Sequence, residues 1–141
     1  MREAILRQMI KRRKALIIED EPMIRRICSR VLVAEGFDVD CAVDGLAAKE
    51  VIREGRYEIC LSDILTPGMN GMELYGYLEQ EYPAMTERII FTTGDLLSPV
   101  VKDFLNAGDK TFILKPFTPA DLKEKIGQIM RRCEAGSVAA N

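Results

Sequence analysis

Short apolar runs alternate along the chain with longer segments in which apolar residues return every three or four positions. Ala15-Leu-Ile-Ile-Glu19 is too short for a helix and predicts a buried strand. Pro22 then stands where a first helical residue would. Ile24, Ile27, Val31 and Ala34 follow at helical spacing up to Gly36, a glycine placed to end the helix. The cycle repeats: strand Phe37–Cys41, of alternating polarity, then helix Gly45–Glu54 closed by Gly55; strand Tyr57–Ser62, then helix Met72–Glu81 ending before Pro83. Strand Arg88–Thr92 is followed by helix Leu97–Ala107 and Gly108, and Thr111–Leu114 is the fifth strand. Thr118 is placed to cap a last helix, with Pro119 at its first position and Asp121 at its third. Leu122, Ile126, Ile129 and Cys133 mark its apolar face.

Five short strands separated by single helices imply parallel pairing through right-handed crossovers. The expected class is α/β, a doubly wound three-layer sandwich around a five-stranded parallel sheet. The expected domain runs over residues 14–133. Residues 134–141, mostly small, read as a short tail. Residues 1–13 form an N-terminal extension in which Ile5, Leu6, Met9 and Ile10 share one helical face. That segment reads as a linker helix, or as a helix that binds a partner or a membrane surface.

Composition narrows the chemistry. The 141 residues are about one domain's worth, with 48% hydrophobic and 30% charged residues. Histidine and tryptophan are absent. Without histidine there is no Ser-His-Asp or Cys-His pair, no imidazole-bound zinc and no imidazole acid/base group. Cys28, Cys41, Cys60 and Cys133 are widely and irregularly spaced, and three lie in apolar periodic segments, so free buried thiols and a reducing, cytoplasmic setting are expected. No apolar run is long enough to span a membrane, and no secretory h-region is present. Charge is uneven. Residues 1–14 hold six basic residues and one acid, a balance of +5, which leaves 14 basic and 21 acidic residues, or −7, in the remainder of a chain whose net charge is −2. An acidic body argues against direct nucleic-acid binding by it.

In a parallel α/β sheet, ligands bind outside the carboxyl ends of the strands. Glu19, Asp20 and Glu21 follow the first strand, Asp44 the second and Asp63 the third. Thr92, Thr93 and Gly94 follow the fourth, and Lys115 and Pro116 the fifth. Carboxylates brought together repel: at an effective dielectric of ~20, two charges about 4 Å apart cost roughly 4 kcal/mol. A cation, a lysine or a proton must hold them. The ligands are all oxygen, so a hard ion, foremost Mg²⁺, fits. A lysine and a threonine facing a carboxylate beside such an ion make a site for a phosphoryl group. Taken singly, each residue has a plainer role: Asp20 or Glu21 as a helix cap, Lys115 as a surface ion-pair partner, Thr93 as a turn hydroxyl.

Four runs carry a more specific signal: Leu16-Ile-Ile-Glu-Asp-Glu-Pro22, Cys60-Leu-Ser-Asp-Ile-Leu-Thr-Pro-Gly-Met-Asn-Gly-Met-Glu-Leu74, Ile89-Ile-Phe-Thr-Thr-Gly94 and Phe112-Ile-Leu-Lys-Pro-Phe117. From about Lys14 to Cys133 the chain resembles the receiver domain of two-component response regulators. The resemblance implies the flavodoxin-like strand order 2-1-3-4-5, with the switch point between strands one and three. It implies that Asp63 is the phosphoacceptor, forming an aspartyl phosphate. Glu19, Asp20, Asp63 and the backbone carbonyl of Leu65 then hold Mg²⁺ (or Mn²⁺). Lys115 pairs with the phosphoryl oxygens. Thr93, followed by the small Gly94, is the switch hydroxyl, and Phe112 the switch aromatic, where many relatives carry Tyr. Leu65 and Asp95 occupy the positions that tune the lifetime of the phosphoryl group. Phosphorylation would draw Thr93 inward and reshape the face of the fourth helix, fifth strand and fifth helix.

The function so implied is a signalling phosphoacceptor, not an enzyme with a separate substrate, although it assists its own phosphorylation and dephosphorylation. Its expected partner is a sensor histidine kinase or a histidine phosphotransfer protein, and a phosphorylation-dependent homodimer is compatible with it. No DNA-binding output domain is expected after Cys133. The stretch Ile89–Phe117 looks most like receivers of hybrid sensor histidine kinases, so a receiver module in a phosphorelay and a stand-alone regulator both remain open. Other classes remain too. One is a metal-dependent acyl-phosphate hydrolase. Another is a flavodoxin-type cofactor binder, disfavoured because its first loop would be Glu-Asp-Glu-Pro where phosphate must sit. The third is a receiver reduced to a scaffold.

Overall fold

The computed structural model describes residue 2 and residues 13–140, with side chains to residue 135. The expected helical face of Ile5, Leu6, Met9 and Ile10 lies outside the described residues. The strands are β1 (Arg13–Ile18), β2 (Phe37–Ala42), β3 (Ile59–Asp63), β4 (Ile89–Thr93) and β5 (Thr111–Leu114). All pair in parallel, in the order β2-β1-β3-β4-β5. The helices are α1 (Pro22–Ala34), α2 (Gly45–Glu54), α3 (Gly71–Glu81), α4 (Pro99–Asn106) and α5 (Pro119–Ala140), with a 3₁₀ segment over Pro83–Arg88.

Side chains alternate across a strand, so each strand feeds two cores. Leu16, Ile18, Cys60, Ile89 and Phe91 meet Ala48 and Ile52 of α2, Leu74 and Leu78 of α3, and Val101 and Leu105 of α4 on one face. Ala15, Ile17, Ile59, Leu61, Ile90 and Ile113 meet Cys28 and Leu32 of α1 and Leu122, Ile126 and Ile129 of α5 on the other. Burial on both faces explains why β1, β3 and β4 read as unbroken apolar runs. The two edge strands, β2 and β5, are only partly buried.

The expected elements are all present, with shifted ends that matter for the site. β3 and β4 run one residue further than the periodicity predicts, so Asp63 and Thr93 are the last residues of strands. The ladder also continues past the strand ends: Glu19 N donates to Ala42 O (3.0 Å), Ile64 N to Thr92 O (3.0 Å) and Lys115 N to Thr93 O (2.8 Å). Helix α4 starts at Pro99 rather than Leu97, because Ser98 Oγ accepts from Val101 N. Leu97 is left 94% exposed. Helix α5 begins at the expected cap, where Thr118 Oγ1 accepts from Asp121 N (3.1 Å) and Asp121 Oδ2 from Thr118 N (3.0 Å). It then runs on to Ala140, through the segment expected as a tail, past Gly136. Gly36 closes α1 at φ +95°, a conformation that costs glycine least. The four thiols are free, but Cys41 is exposed rather than buried, because it sits on the outer strand. Burial pushes the Cys28 and Cys60 thiols up to about 12, leaving them inert near neutral pH.

Candidate functional site

The sheet order places β1 beside β3, and the Ile18↔Ser62 pair is the last before both chains leave the ladder. Glu19 and Asp63 therefore emerge side by side, with Asp20 next. One carboxylate oxygen from each of Glu19, Asp20 and Asp63 lies within 4.8 Å of the others. Glu19 and Asp63 are buried and Asp20 is exposed. Lys115 reaches across from the end of β5. Its Nζ lies 3.1 Å from Glu19 Oε1 and 3.1 Å from Asp63 Oδ2. Of the three plainer roles two fail: Lys115 pairs inward, and Glu21, at the N-cap of α1, makes no side-chain capping bond; Thr93 does act as a turn hydroxyl here. Pro22 at the first helical position removes one donor that would need a cap.

One ammonium between two carboxylates leaves negative charge uncompensated. Glu19 Oε2 is buried and has no hydrogen-bond partner among the described residues. Burial, reinforced by the Asp63 carboxylate, pushes Glu19 up to about 7 against the opposing pull of Lys115. Burial acts to lower Lys115, but Asp63 and Glu19 together outweigh it and raise the lysine. An orphaned carboxylate oxygen inside an all-oxygen cluster is what a hard divalent cation would satisfy, so the residues present fit such an ion. A test follows without any metal. A carboxyl raised in the folded state stabilises the protein below its unfolded value, near 4.5, and loses that contribution as pH rises through about 7. In chelator, wild type should lose unfolding free energy relative to Glu19→Gln between pH 5 and 8; parallel profiles would contradict this.

The loop after Asp63 is fixed by groups to which the residue pattern assigns no role. Leu65 N donates to Asp63 Oδ1 (3.2 Å), while the Leu65 side chain is 53% exposed. Ser62 Oγ donates to Asp63 O (3.1 Å), and Arg25 Nη1 to Glu19 O (2.8 Å). Thr66 Oγ1 donates to Met69 O, and Gly45 N also donates there, tying the loop to α2. Asn70 and Glu73 cap α3 reciprocally. Gly71 packs directly under the acid: a Cβ there would lie 2.9 Å from Asp63 O and 3.1 Å from Ile64 Cα. Those are backbone atoms and cannot swing away. Gly71→Ala is expected to destabilise the fold by about 1–3 kcal/mol and to displace Asp63; denaturant unfolding unchanged from wild type would contradict this. A glycine needed for close approach rather than for φ has no periodicity signal, though Gly71 sits inside the longest motif run.

The remaining expected residues are near but not joined to the acids. Thr93 is buried, and its Oγ1 accepts from Asp95 N (3.2 Å) within its own loop. The Asp95 carboxylate is held by Leu97 N (2.9 Å) and Ser98 N (3.2 Å). Phe112 is half-buried and packs against the core that holds Phe91, on the same side of the sheet as Thr93. The Lys115–Pro116 peptide is cis.

Comparison with known proteins places the fold in a family. Residues 15–127 match the family model described as the response regulator receiver domain. The chain is 32% identical to chemotaxis protein CheY-3 of Vibrio cholerae over 131 residues, covering 92% of this chain and 98% of that one. It superposes with a TM-score of 0.79 and 31% identity on a CheY-like response regulator receiver domain protein from Methanospirillum hungatei, covering 89% of this chain and 99% of that one. The signal receiver domain of a signal transduction histidine kinase from Syntrophus aciditrophicus superposes at 0.73 with 26% identity, covering 84% and 89%.

Proposed function

We propose, for a chain that belongs to the response regulator receiver domain family, that Asp63 is the carboxylate that accepts the phosphoryl group. Receivers of this family accept that group on an aspartate and act as signalling phosphoacceptors. The observation that carries the assignment is Lys115, whose ammonium bridges Asp63 and Glu19 at 3.1 Å each at the carboxyl end of the sheet.

An Asp63 oxygen attacks phosphorus in line. The new O–P bond forms as the P–N bond to a donor imidazole breaks, and the electron pair leaves with the imidazole nitrogen. Lys115 neutralises phosphoryl oxygens as charge develops. A divalent cation, Mg²⁺ or Mn²⁺, held by Glu19, Asp20, Asp63 and the Leu65 carbonyl, would supply further positive charge against the same oxygens. Thr93 exchanges its bond within the 93–95 loop for one to a phosphoryl oxygen, and Phe112 follows into the space it leaves. That shift alters the face made by α4, β5 and α5, which a partner reads.

Exposed apolar side chains border the acidic centre: Leu65, whose N–H bonds Asp63, and Ile27, which lines a hollow with Lys115 and Phe117. This rim supports docking of a protein donor, either a sensor histidine kinase or a histidine phosphotransfer protein. The similarity to a kinase-borne receiver supports a second reading, a receiver module within a hybrid kinase in a phosphorelay. The mass of the native full-length product separates the two. No helix among the described residues is long and apolar enough to cross a membrane, and the free thiols fit a cytoplasmic setting.

The test is incubation with acetyl phosphate, with and without Mg²⁺, followed by intact mass. One phosphoryl group should be gained, and only with the metal. Steady release of phosphate over many turnovers, without a labelled species, would favour a metal-dependent acyl-phosphate hydrolase instead. Lifetime offers a further check. The exposed Leu65 side chain cannot orient a water molecule, and Asp95, held through Oδ1 by two backbone donors, can assist at most moderately through its other oxygen. Self-dephosphorylation should therefore be slow. Leu65→Asn should shorten the half-life of the aspartyl phosphate; an equal or longer half-life would count against this.

A further inference from the structure

A second cleft opens at the opposite end of the sheet, where the strands begin. It has a volume of about 580 Å³ and is lined by Arg53, Arg56, Arg88, Tyr57, Tyr82 and Met85, with Glu58 as its acid. That size is within the range of small-molecule sites. Its charge opposes the rest of the molecule: three arginines against one glutamate, in a body whose residues 15–141 balance at −7. Four strand steps of about 3.3 Å, roughly 13 Å, separate Ile59 at this end of β3 from Asp63 at the other.

The arginines are unequally committed. Arg88 is half-buried and held by Glu58, its Nη1 donating to both Glu58 O and Oε2 at 3.1 Å. Its guanidinium keeps further donors in a fixed plane. Arg53 makes one exposed pair with Glu50, a kind of contact worth little. Arg56 is exposed and makes no ion pair among the described residues.

Aromatic rings gather beside these cations. Three of the chain's four tyrosines, Tyr57, Tyr77 and Tyr82, stand at this end. The Tyr77 and Tyr82 rings lie 6.1 Å apart, and Lys49 Nζ lies 4.3 Å from the Tyr77 ring. Tyr57 itself is buried, 6% exposed with its hydroxyl donating to Asp40, and shows the cleft only a ring edge, 3.4 Å from where a Cβ on Gly55 would sit. The Gly55 φ of −137° would allow any side chain, so the space rather than the backbone is what glycine preserves.

We infer that this cleft is a binding site for a nucleoside phosphate, with the base against the partly exposed Tyr82 ring and the phosphates on Arg53 and Arg56. A partly exposed ring beside one unpaired guanidinium, Arg56, and one weakly paired one, Arg53, offers a contact to each half of such a ligand, and neither half alone uses the whole cleft.

The test is amide-resolved NMR of the full chain titrated with ATP in chelator, with adenosine and tripolyphosphate as separate arms. Saturable shifts are expected at residues 52–58 and 82–88, tighter for ATP than for either fragment. Arg56→Glu should weaken binding about tenfold or more. Gly55→Leu, which fills the cleft without changing charge, should weaken it as well. Both variants should still gain one phosphoryl group from acetyl phosphate, which keeps this outcome independent of the assignment of Asp63. Three results would overturn the inference: no saturable shift, shifts centred on Asp63, or tripolyphosphate binding as tightly as ATP with no response to Gly55→Leu.

Discussion

Asp63→Asn is expected to abolish labelling by acetyl phosphate and, at the same time, to stabilise the metal-free protein above pH 7. The loss follows because an amide oxygen is a poor nucleophile and leaves no acyl phosphate to form. The gain follows from electrostatics. Glu19, Asp20 and Asp63 offer oxygens within 4.8 Å of one another, and Lys115 contacts only two of them. Removing one charge from such a cluster relieves a repulsion of about 1–3 kcal/mol after solvent screening. Asn preserves the shape and can still accept from Leu65 N. Asp63 is also among the causes that raise Glu19, so Glu19 should titrate lower in the variant. Thermal unfolding at pH 8 in chelator measures the first effect. A lower melting temperature than wild type would mean that the acids are not in net repulsion. Retained labelling would place the acceptor elsewhere.

Lys115→Met is expected to slow phosphoryl transfer from acetyl phosphate about 100-fold, the usual cost of removing one preorganised donor from a charge-developing site. Methionine keeps much of the buried stem while deleting the ammonium, so the loss reports charge rather than packing. The variant also strips Glu19 and Asp63 of their cation, so it should be less stable than wild type at pH 8 in chelator, with the deficit shrinking toward pH 5 as Glu19 takes up a proton. A rate within a few-fold of wild type would remove Lys115 from the transfer step. A deficit that is flat with pH would show that its pairing with Glu19 is not what matters.

The fold was legible because both faces of the sheet are buried. Ala15–Ile18, Ile59–Ser62 and Ile89–Thr93 are too apolar and too short for anything but inner strands, and the strand-end rule then pointed to Glu19, Asp20, Asp63 and Lys115. The structure brings those four together. What periodicity could not supply were contacts set by tertiary packing. Gly71 is needed because Asp63 O is 2.9 Å from where its Cβ would be, and Arg25 matters through a bond to the backbone of Glu19. Neither leaves a trace in hydrophobic spacing. The start of α4 moved to Pro99 because a serine hydroxyl, not an apolar repeat, sets that end. Helix α5 passed its expected end, because the apolar spacing marks only the face that packs, up to Cys133, and not how far the backbone stays helical. Thr93 was placed by resemblance alone; its hydroxyl is bound within its own loop, and nothing in composition or spacing sets it apart from Thr92.

The central claim is the identity of the acceptor. Borohydride reduction of acetyl-phosphate-labelled protein converts an aspartyl phosphate to homoserine, and peptide mass mapping then locates it. Homoserine at position 63, only in samples labelled with Mg²⁺, is the predicted result. Homoserine at position 20 or 95, or none in a protein whose intact mass has risen by one phosphoryl group, would contradict it.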